Sequence, residues 1–421
     1  MAPIRPNPTL SNDLISEILV RVPVKSLLQF QLVSKTWLSL IKDPAFVKAQ
    51  LRRAIATETD QTLIMTRYTY MTDAENATLK FSVLDVDSRQ IVADLKYPYT
   101  QRESQQVAPA FQIVGSVNGI VCVVFHHNLG EHSFYLWNPA TGQSRAVPAC
   151  GLRTSRALGF GYDPVDDDYK IVSVVSRPSL PTEVYSANRN VWRKVPSEDF
   201  MFGINGGFIL GYFDVSVNGF LFGVEEDAMI VFDLNTEVLN CAIKLPPAIA
   251  SAIEAADAGL AVIAAVGGHD ALISYAARPK TRIIEYNKSI AVITLWANAL
   301  YDDWTDHQRF NKAINLWKLE DDSCLRGGGV EASWTLMFSI DLPMRPAHLL
   351  NGYFSNGDLV LLVANVDDRW IWCNASKKEA KIVRVDMVDH CHTHYLYRYT
   401  ESLVSLAGFK QISWNRGYGD N

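Results

Sequence analysis

Asn-Gly pairs at 118–119 and 218–219 each open a similar stretch of chain. From Asn118 the sequence runs through an apolar segment to LWNPATGQ and RAVP, ending at Pro148. From Asn218 it runs through another to VFDLNTEV and IKLP, ending at Pro246. The two spans are 148 − 118 = 30 and 246 − 218 = 28 residues. Between them, YKIVSVV and EVYSANRNVWRKVP end at Pro196, so the prolines step by 196 − 148 = 48 and 246 − 196 = 50. A later copy starts at Asn356-Gly357 and passes IWCNASKKEAKIV. A unit of several strands repeated at this period buries its apolar faces only by stacking on its neighbours, which points to propeller blades. A β-sandwich or stacked sheets with repeated hairpins is the other architecture that fits.

The segments themselves read as strands. TLKFSVLDVD, GIVCVVFHH, SFYLWN, YKIVSVV, MIVFDL, DLVLLVANV and AKIVRVD are rich in β-branched and aromatic residues and bounded by turn signals. Asn-Gly suits a primed hairpin turn, where both residues need positive φ. Asp163-Pro164 and the run Asp166-Asp167-Asp168 suggest a solvated turn. Trp137, Trp192, Trp317 and Trp334 are expected to fill gaps between neighbouring sheets. If the repeats form a closed ring, the segment Tyr399–Leu406 must return to pair near the first strands.

Residues 10–51 differ from everything after them. Leu14, Ile15, Ile18, Leu19 and Val22 form an apolar stripe at helical spacing, with Ser11 placed to cap it and Asp13 in its first turn. Pro23 should end that helix. Leu27, Leu28 and Phe30 belong to a second helix, and Val33, Trp37, Leu40 and Ile41 to a third. Asp43-Pro44 starts a fourth, carrying Phe46, Val47 and Leu51. So small a module cannot hide every apolar face in its own core, so part of that surface should meet a partner.

Composition narrows the function. The 421 residues carry a net charge of −6, with 48% hydrophobic and 20% charged residues. That is globular, and it argues against a general nucleic-acid or anionic-membrane surface. The start, MAPIRPNP, is polar and proline-rich rather than signal-like, and the run 248–266 is interrupted by Glu254 and Asp257. Cys122, Cys150, Cys241, Cys324, Cys373 and Cys391 form no metal pair or disulfide framework, which fits a cytoplasmic or nuclear setting.

Catalytic signatures are missing: there is no Gly-x-Ser-x-Gly, phosphate-binding loop or His-Glu-x-x-His, and Gly-Phe-Gly at 159–161 lies in a strand-turn context. His390, His392 and His394 alternate and would share one strand face, but nothing nearby supplies a second ligand cluster. His126-His127 suits a strand end. No metal or cofactor is expected. Asp302, Asp303 and Asp306 surround Trp304 in a stretch that also holds Tyr301 and Arg309. These residue types are frequent at interface hot spots, which makes Tyr301, Trp304 and Arg309 candidate target-binding residues.

The head resembles an F-box through Leu10, Leu14, Ile18, Leu19, Val22-Pro23, Lys25-Ser26-Leu27, Val33-Ser34-Lys35, Trp37, Leu40-Ile41 and Asp43-Pro44. It departs where Ser11 replaces the usual proline and Val22 the commoner leucine. The body resembles the F-box-associated, kelch-related domain of plant-type F-box proteins. VGSVNGIVCV, LWNPATGQSRAVP, LGFGYDPVDDDYKIVSV, EVYSANRNVWRKV, VSVNGFLFGV, IVFDLNTEVLNCAIKLP, INLWKLE with SWTLMFSI, and YTESLVSL carry that resemblance. Residues 267–312 are longer than the usual link, and 322–332 hold an extra Gly327-Gly328-Gly329 loop.

The resemblance implies a chain that is α+β in two parts: a helical F-box over 8–52, then an all-β, propeller-like domain over 60–415. It further implies a non-catalytic substrate receptor of an SCF-type cullin ubiquitin ligase, with no nucleic-acid or membrane partner. Leu10, Leu14, Ile18, Leu19, Val22, Pro23, Leu27, Leu28, Val33, Trp37, Leu40 and Ile41 would then dock a Skp-type adaptor, and through it a cullin. A scaffold acting outside a ligase and a ligand-binding propeller are the alternative functions.

Overall fold

The computed structural model describes residues 10–57, 62–69, 78–85, 88, 90–95, 110–126, 132–149, 157–174, 182–195, 211–225, 228–254, 280–295, 313–326, 331–343, 348–355, 358–364, 369–374, 376–384 and 391–412. Four helices lead: α1 (Asn12–Leu19), α2 (Val24–Phe30), α3 (Lys35–Lys42) and α4 (Pro44–Thr57). Three have the side-chain caps their sequences offer. Ser11 Oγ accepts from the Leu14 N–H, Ser34 Oγ from that of Trp37, and Asp43 Oδ1 from that of Ala45. α1 stops before Pro23, at Leu19, because the next N–H groups tighten to three-residue bonds, Arg21 to Ile18 and Val22 to Leu19. α4 runs to Thr57, beyond the expected head limit at residue 52, and continues onto the body.

The body is built of strands. The first sheet takes β1 (Thr62–Thr69), β2 (Thr78–Asp85) and β3 (Gln90–Leu95); the second takes β4 (Ala110–Val117), β5 (Ile120–His126), β6 (His132–Asn138) and β7 (Gln143–Ala146). The third holds β8 (Ala157–Asp163), β9 (Asp168–Val174), β10 (Thr182–Ser186) and β11 (Val191–Val195), with β12 (Gly211–Tyr212) parallel beside β8. The fourth is β13 (Val215–Val217), β14 (Phe220–Glu225), β15 (Ala228–Asp233) and β16 (Leu239–Lys244). The fifth is β17 (Lys280–Tyr286), β18 (Ser289–Leu295), β19 (Ala313–Leu319) and β20 (Trp334–Asp341). The sixth is β21 (His348–Ser355), β22 (Asp358–Ala364), β23 (Arg369–Asn374) and β24 (Glu379–Arg384).

The chain then returns. β25 (Cys391–Tyr399) pairs with β1 as the inner strand of the first sheet, Thr62 opposite Tyr399, and β26 (Lys410–Gln411) pairs with the outer strand β7. Inner strands touch in the cycle β25, β4, β8, β13, β17, β21 and back to β25. The six sheets therefore form a closed β-propeller rather than a two-layer sandwich.

Strands in the middle of the sheets, such as β5 and β18, are buried on both faces, which is why they read as unbroken apolar runs. Along β5, Val121, Val123 and Phe125 pack toward the first sheet, while Ile120, Cys122 and Val124 pack toward the third. The tryptophans sit between sheets as expected. Trp137 lies in the core between first and second sheets, Trp192 against that between second and third, and Trp317 and Trp334 against that between fourth and fifth. Two of them also staple outer edges: Trp192 Nε1 donates to the Pro148 carbonyl (2.8 Å), and Trp334 Nε1 to that of Lys244 (3.0 Å).

Asn118-Gly119 and Asn218-Gly219 have positive φ, as primed turns require. The fifth sheet makes the equivalent turn with Asn287-Lys288, a copy whose lysine hides it from the Asn-Gly pattern.

The Asp163–Asp168 segment makes the expected solvated turn over residues 164–167, all exposed, but its two ends, Asp163 and Asp168, are buried. Lys170, 2% exposed, is drawn in beside them and donates to Asp163 (2.8 Å) and to the Leu234 carbonyl (2.6 Å) of the fourth sheet. Glu237, also buried, faces the same ammonium at 3.2 Å. Burial alone opposes the Lys170 charge, but the bonds to Asp163 and Glu237 outweigh it and hold its pKa above the ordinary value. Burial likewise pushes the Asp163 carboxyl up, yet Lys170 and the Val165 and Asp166 N–H groups leave it below the ordinary value.

Ring closure is held by a polar knot. Buried Asn138 donates through Nδ2 to the carbonyls of Ser402 (3.0 Å) and Val404 (2.8 Å), and its Oδ1 accepts from the Ala140 and Thr141 N–H groups. Ser402 Oγ donates to the Asn118 carbonyl (2.8 Å). Asn138→Ala leaves two buried carbonyls short of a donor and is expected to cost about 2–4 kcal/mol in denaturant melts. Lys170→Met is expected to cost about 3–5 kcal/mol at neutral pH by stranding buried carboxylates. The depressed Asp163 pKa stabilises the fold above the ordinary carboxyl value and loses that contribution as pH falls. The difference between wild type and Lys170→Met should therefore narrow below about pH 4 in parallel melts.

Candidate functional site

The head presents apolar side chains to solvent although its own core is already filled. Leu19, Val24, Leu27, Ile41 and Phe46 form that core, ringed by Ile15, Val22, Leu28, Trp37 and Leu40. Leu10, Leu14 and Ile18 remain 58%, 54% and 53% exposed. Leu14 and Ile18 stand one turn apart on α1, with Leu10 just before it, so the three make one stripe. In the turn between α2 and α3, Leu32 and Val33 are 88% and 64% exposed. An apolar surface of this kind on so small a module marks an interaction site. The helices beneath are fixed by the caps and by Phe30 set edge-on to Trp37 at 5.4 Å.

The head is seated on the propeller. Leu403, from the segment that closes the ring, is buried in the head core, and Ala140 of the second sheet packs against it. The Ala140 N–H also donates to the Tyr399 hydroxyl (3.0 Å). On the next sheet, Lys48 of α4 donates to Asp167 (2.5 Å), which also accepts from the Tyr162 hydroxyl (2.6 Å). The Lys48 bond is the largest of the effects that lower the Asp167 pKa.

The F-box-associated β-propeller domain family matches residues 67–403, and the F-box domain family matches residues 8–48. This chain belongs to the F-box-associated β-propeller family. The putative F-box protein At3g16210 of Arabidopsis thaliana is 33% identical over 44% of this chain and 46% of its own length. The F-box/kelch-repeat protein At3g23880 is 29% identical over 43% and 50%, and F-box protein CPR1 is 27% identical over 45% and 46%, both from the same plant. This chain thus spans about half the length of the relatives it matches. The expected kelch relation finds a counterpart in the name of one of them. Among solved structures, TolB from Acinetobacter baumannii superposes on 84% of this chain and 72% of its own at a TM-score of 0.41 and 8% identity, too remote for a functional comparison.

In this F-box head the twelve residues expected to dock an adaptor divide by burial. Leu10, Leu14, Ile18, Pro23 and Val33 are exposed; Val22, Leu28, Trp37 and Leu40 are half-buried. Leu19, Leu27 and Ile41 are fully enclosed, so as surface contacts they are corrected: they hold the helices from inside. Leu32 was missed; its signal was an apolar residue beside Val33 in a short turn between two helices. Tyr301, Trp304 and Arg309 lie outside the described residues, in the segment joining β18 to β19.

Among the described residues no cluster of His, Cys, Asp and Glu could hold a metal. His392 and His394 fall on β25, with His390 and all three side chains outside the described residues. His126 ends β5, where its Nδ1 lies 3.1 Å from that of His132.

Since Leu403 sits inside the F-box core, head and propeller should unfold together. Leu403→Ala is expected to cost about 2–4 kcal/mol and to split a single calorimetric transition into two. One unsplit transition at the wild-type temperature would show that the residue does not couple them.

Proposed function

We propose that this protein is the substrate-recognition subunit of an SCF-type cullin ubiquitin ligase. The F-box head docks a Skp-type adaptor, and through it a cullin, while the propeller captures the target protein. The observation that carries this reading is the solvent-facing stripe of Leu10, Leu14 and Ile18 on a head whose core is otherwise complete. Val33 and the half-buried Trp37 and Leu40 extend the docking face, and Leu32 joins it. The protein's contribution is then proximity. It makes no bond itself but raises the effective concentration of the target's lysines beside a charged ubiquitin-conjugating enzyme.

Tyr301, Trp304 and Arg309 remain proposed target contacts. The described ends of their flanking strands, Leu295 and Ala313, lie at the end of the fifth sheet away from the Asn287-Lys288 turn. Head contacts, by contrast, are made by the Ala140 and Asp167 turns and by Leu403. Target capture on the far face would leave the adaptor face clear. We also place the protein in the cytoplasm or nucleus, in keeping with the free, buried thiols of Cys122, Cys324 and Cys373. No helix among the described residues is long and apolar enough to cross a membrane.

The test is co-purification of the full chain with a Skp-type adaptor. Leu14→Asp with Ile18→Asp places two charges on the stripe and is expected to weaken adaptor binding more than about a hundredfold, as loss of a central apolar anchor does. Both sites are exposed, so the melting temperature should stay unchanged. Adaptor binding at wild-type strength by the folded double variant would overturn the reading. Adaptor binding without recruitment of a cullin would instead make the protein a scaffold outside the ligase.

A further inference from the structure

The ring encloses a cavity of about 250 Å3, reached between the inner strands of five sheets. Its walls are apolar through Val114, Phe160, Phe213 and Leu221. Ile55, near the end of α4, lines it too, so the head forms part of the chamber. That volume lies just below the usual range of small-molecule pockets, and the lining is at least as polar as it is apolar.

Charge decides what fits. Two carboxylates face the cavity, and both are answered. Asp214 accepts from the Ile283 N–H (2.9 Å) and lies 3.4 Å from the Arg282 guanidinium. Glu285 lies 3.6 Å from Arg398. Burial pushes the Asp214 carboxyl above its ordinary value, against the pull of Arg282 and the Ile283 N–H. Lys288, on the hairpin turn at the rim, has no carboxylate partner among the described residues. The lining itself is balanced, Asp214 and Glu285 against Lys288 and Arg398, but Arg282 behind it pairs with Asp214 and so leaves Lys288, among the described residues, as the cation open to an anion. Inside, the Ser116 hydroxyl is shut off from solvent and has no hydrogen-bond partner in the structure. A buried hydroxyl without a partner is costly and is met when a bound molecule supplies one.

We propose that this cavity binds a small amphipathic organic anion. A ring-sized apolar body would fill the space among Val114, Phe160 and Leu221, its carboxylate or sulfonate would face Lys288, and a polar atom on the body would meet Ser116. Because Ile55 belongs to the head, the occupant touches F-box and propeller at once. Occupancy then stiffens the seat on which the adaptor-binding module rests, so a metabolite of this chemistry regulates the receptor. The cavity shares no residue with the Leu10–Leu14–Ile18 stripe, so this site and adaptor docking stand or fall separately.

The test uses the full chain and anilinonaphthalene sulfonate, a fluorescent amphipathic anion, as the probe. Titration is expected to give one probe per chain. Lys288→Glu, on an exposed turn, should keep the wild-type melting temperature and bind the probe at least about tenfold more weakly, the scale expected when a close attraction between opposite charges becomes repulsion. Lys288→Gln, the neutral near-isostere, gives the same comparison should the reversal disturb folding. A naphthyl-methylammonium cation of similar body should bind the wild type about tenfold more weakly than the sulfonate and gain affinity with Lys288→Glu. Hydrogen exchange should slow in residues 50–57 on probe binding, since Ile55 contacts the occupant. Several probes per chain, affinity indifferent to residue 288, or unchanged exchange in that helix end would each overturn the proposal.

Discussion

Closure of the ring by its own C-terminal strand is the constraint on which the rest depends. β25 enters the first sheet inside β1, so one sheet is made from both ends of the body. Neighbouring blades bury their facing sides against each other, and an open ring would expose two such faces at once. The closing strand is then locked by side chains rather than by ladder bonds alone. Asn138 reaches across to Ser402 and Val404, and the Tyr399 hydroxyl meets the Ala140 N–H. The short β26 afterwards covers the outer edge of the second sheet, an edge otherwise open to pairing.

The same segment seats the head. Leu403 lies between the closing strand and β26 and enters the F-box core, so the residue that completes the ring's neighbourhood also completes the helical module. Lys48 and Asp167 add a second point on the adjoining sheet. That exposed pair contributes little stability by itself. Its value is orientation, since two contacts on different sheets restrain rotation that one would allow. For a receptor whose chemistry is proximity, a fixed angle between adaptor face and target face is what the fold can supply.

Several buried carboxylates of the propeller are met by a cation or by N–H donors, among them Asp163, Asp214, Asp233 and Glu237. Lys170 ties the third sheet to the turn of the fourth, and Arg193 from the outer strand β11 also reaches Glu237. Such buried networks contribute specificity of packing more than net stability.

Much of this was legible in the sequence because the devices are local. Helix caps at Ser11, Ser34 and Asp43 lie within three residues of the groups they serve, and the primed turns at Asn118-Gly119 and Asn218-Gly219 are set by two adjacent residues. The repeat, the strands and the separate helical head followed from such patterns. Position 288 shows the limit: the turn is the same, but a lysine with positive φ replaces the expected glycine. Tertiary structure alone decided which apolar residues of the head face out. Leu14, Ile18 and Leu19 look alike in sequence, and only the packing of the head core, where Leu19 joins Val24, Leu27, Ile41, Phe46 and the distant Leu403, buries the last of them. It likewise decided that Asp163 and Asp168 are interior, because the cation and donors that satisfy them come from Lys170, Ser186 and Asn188 across strands. Local rules specify a residue's backbone, but burial and charge pairing are properties of neighbours that the chain brings together only when the ring has closed.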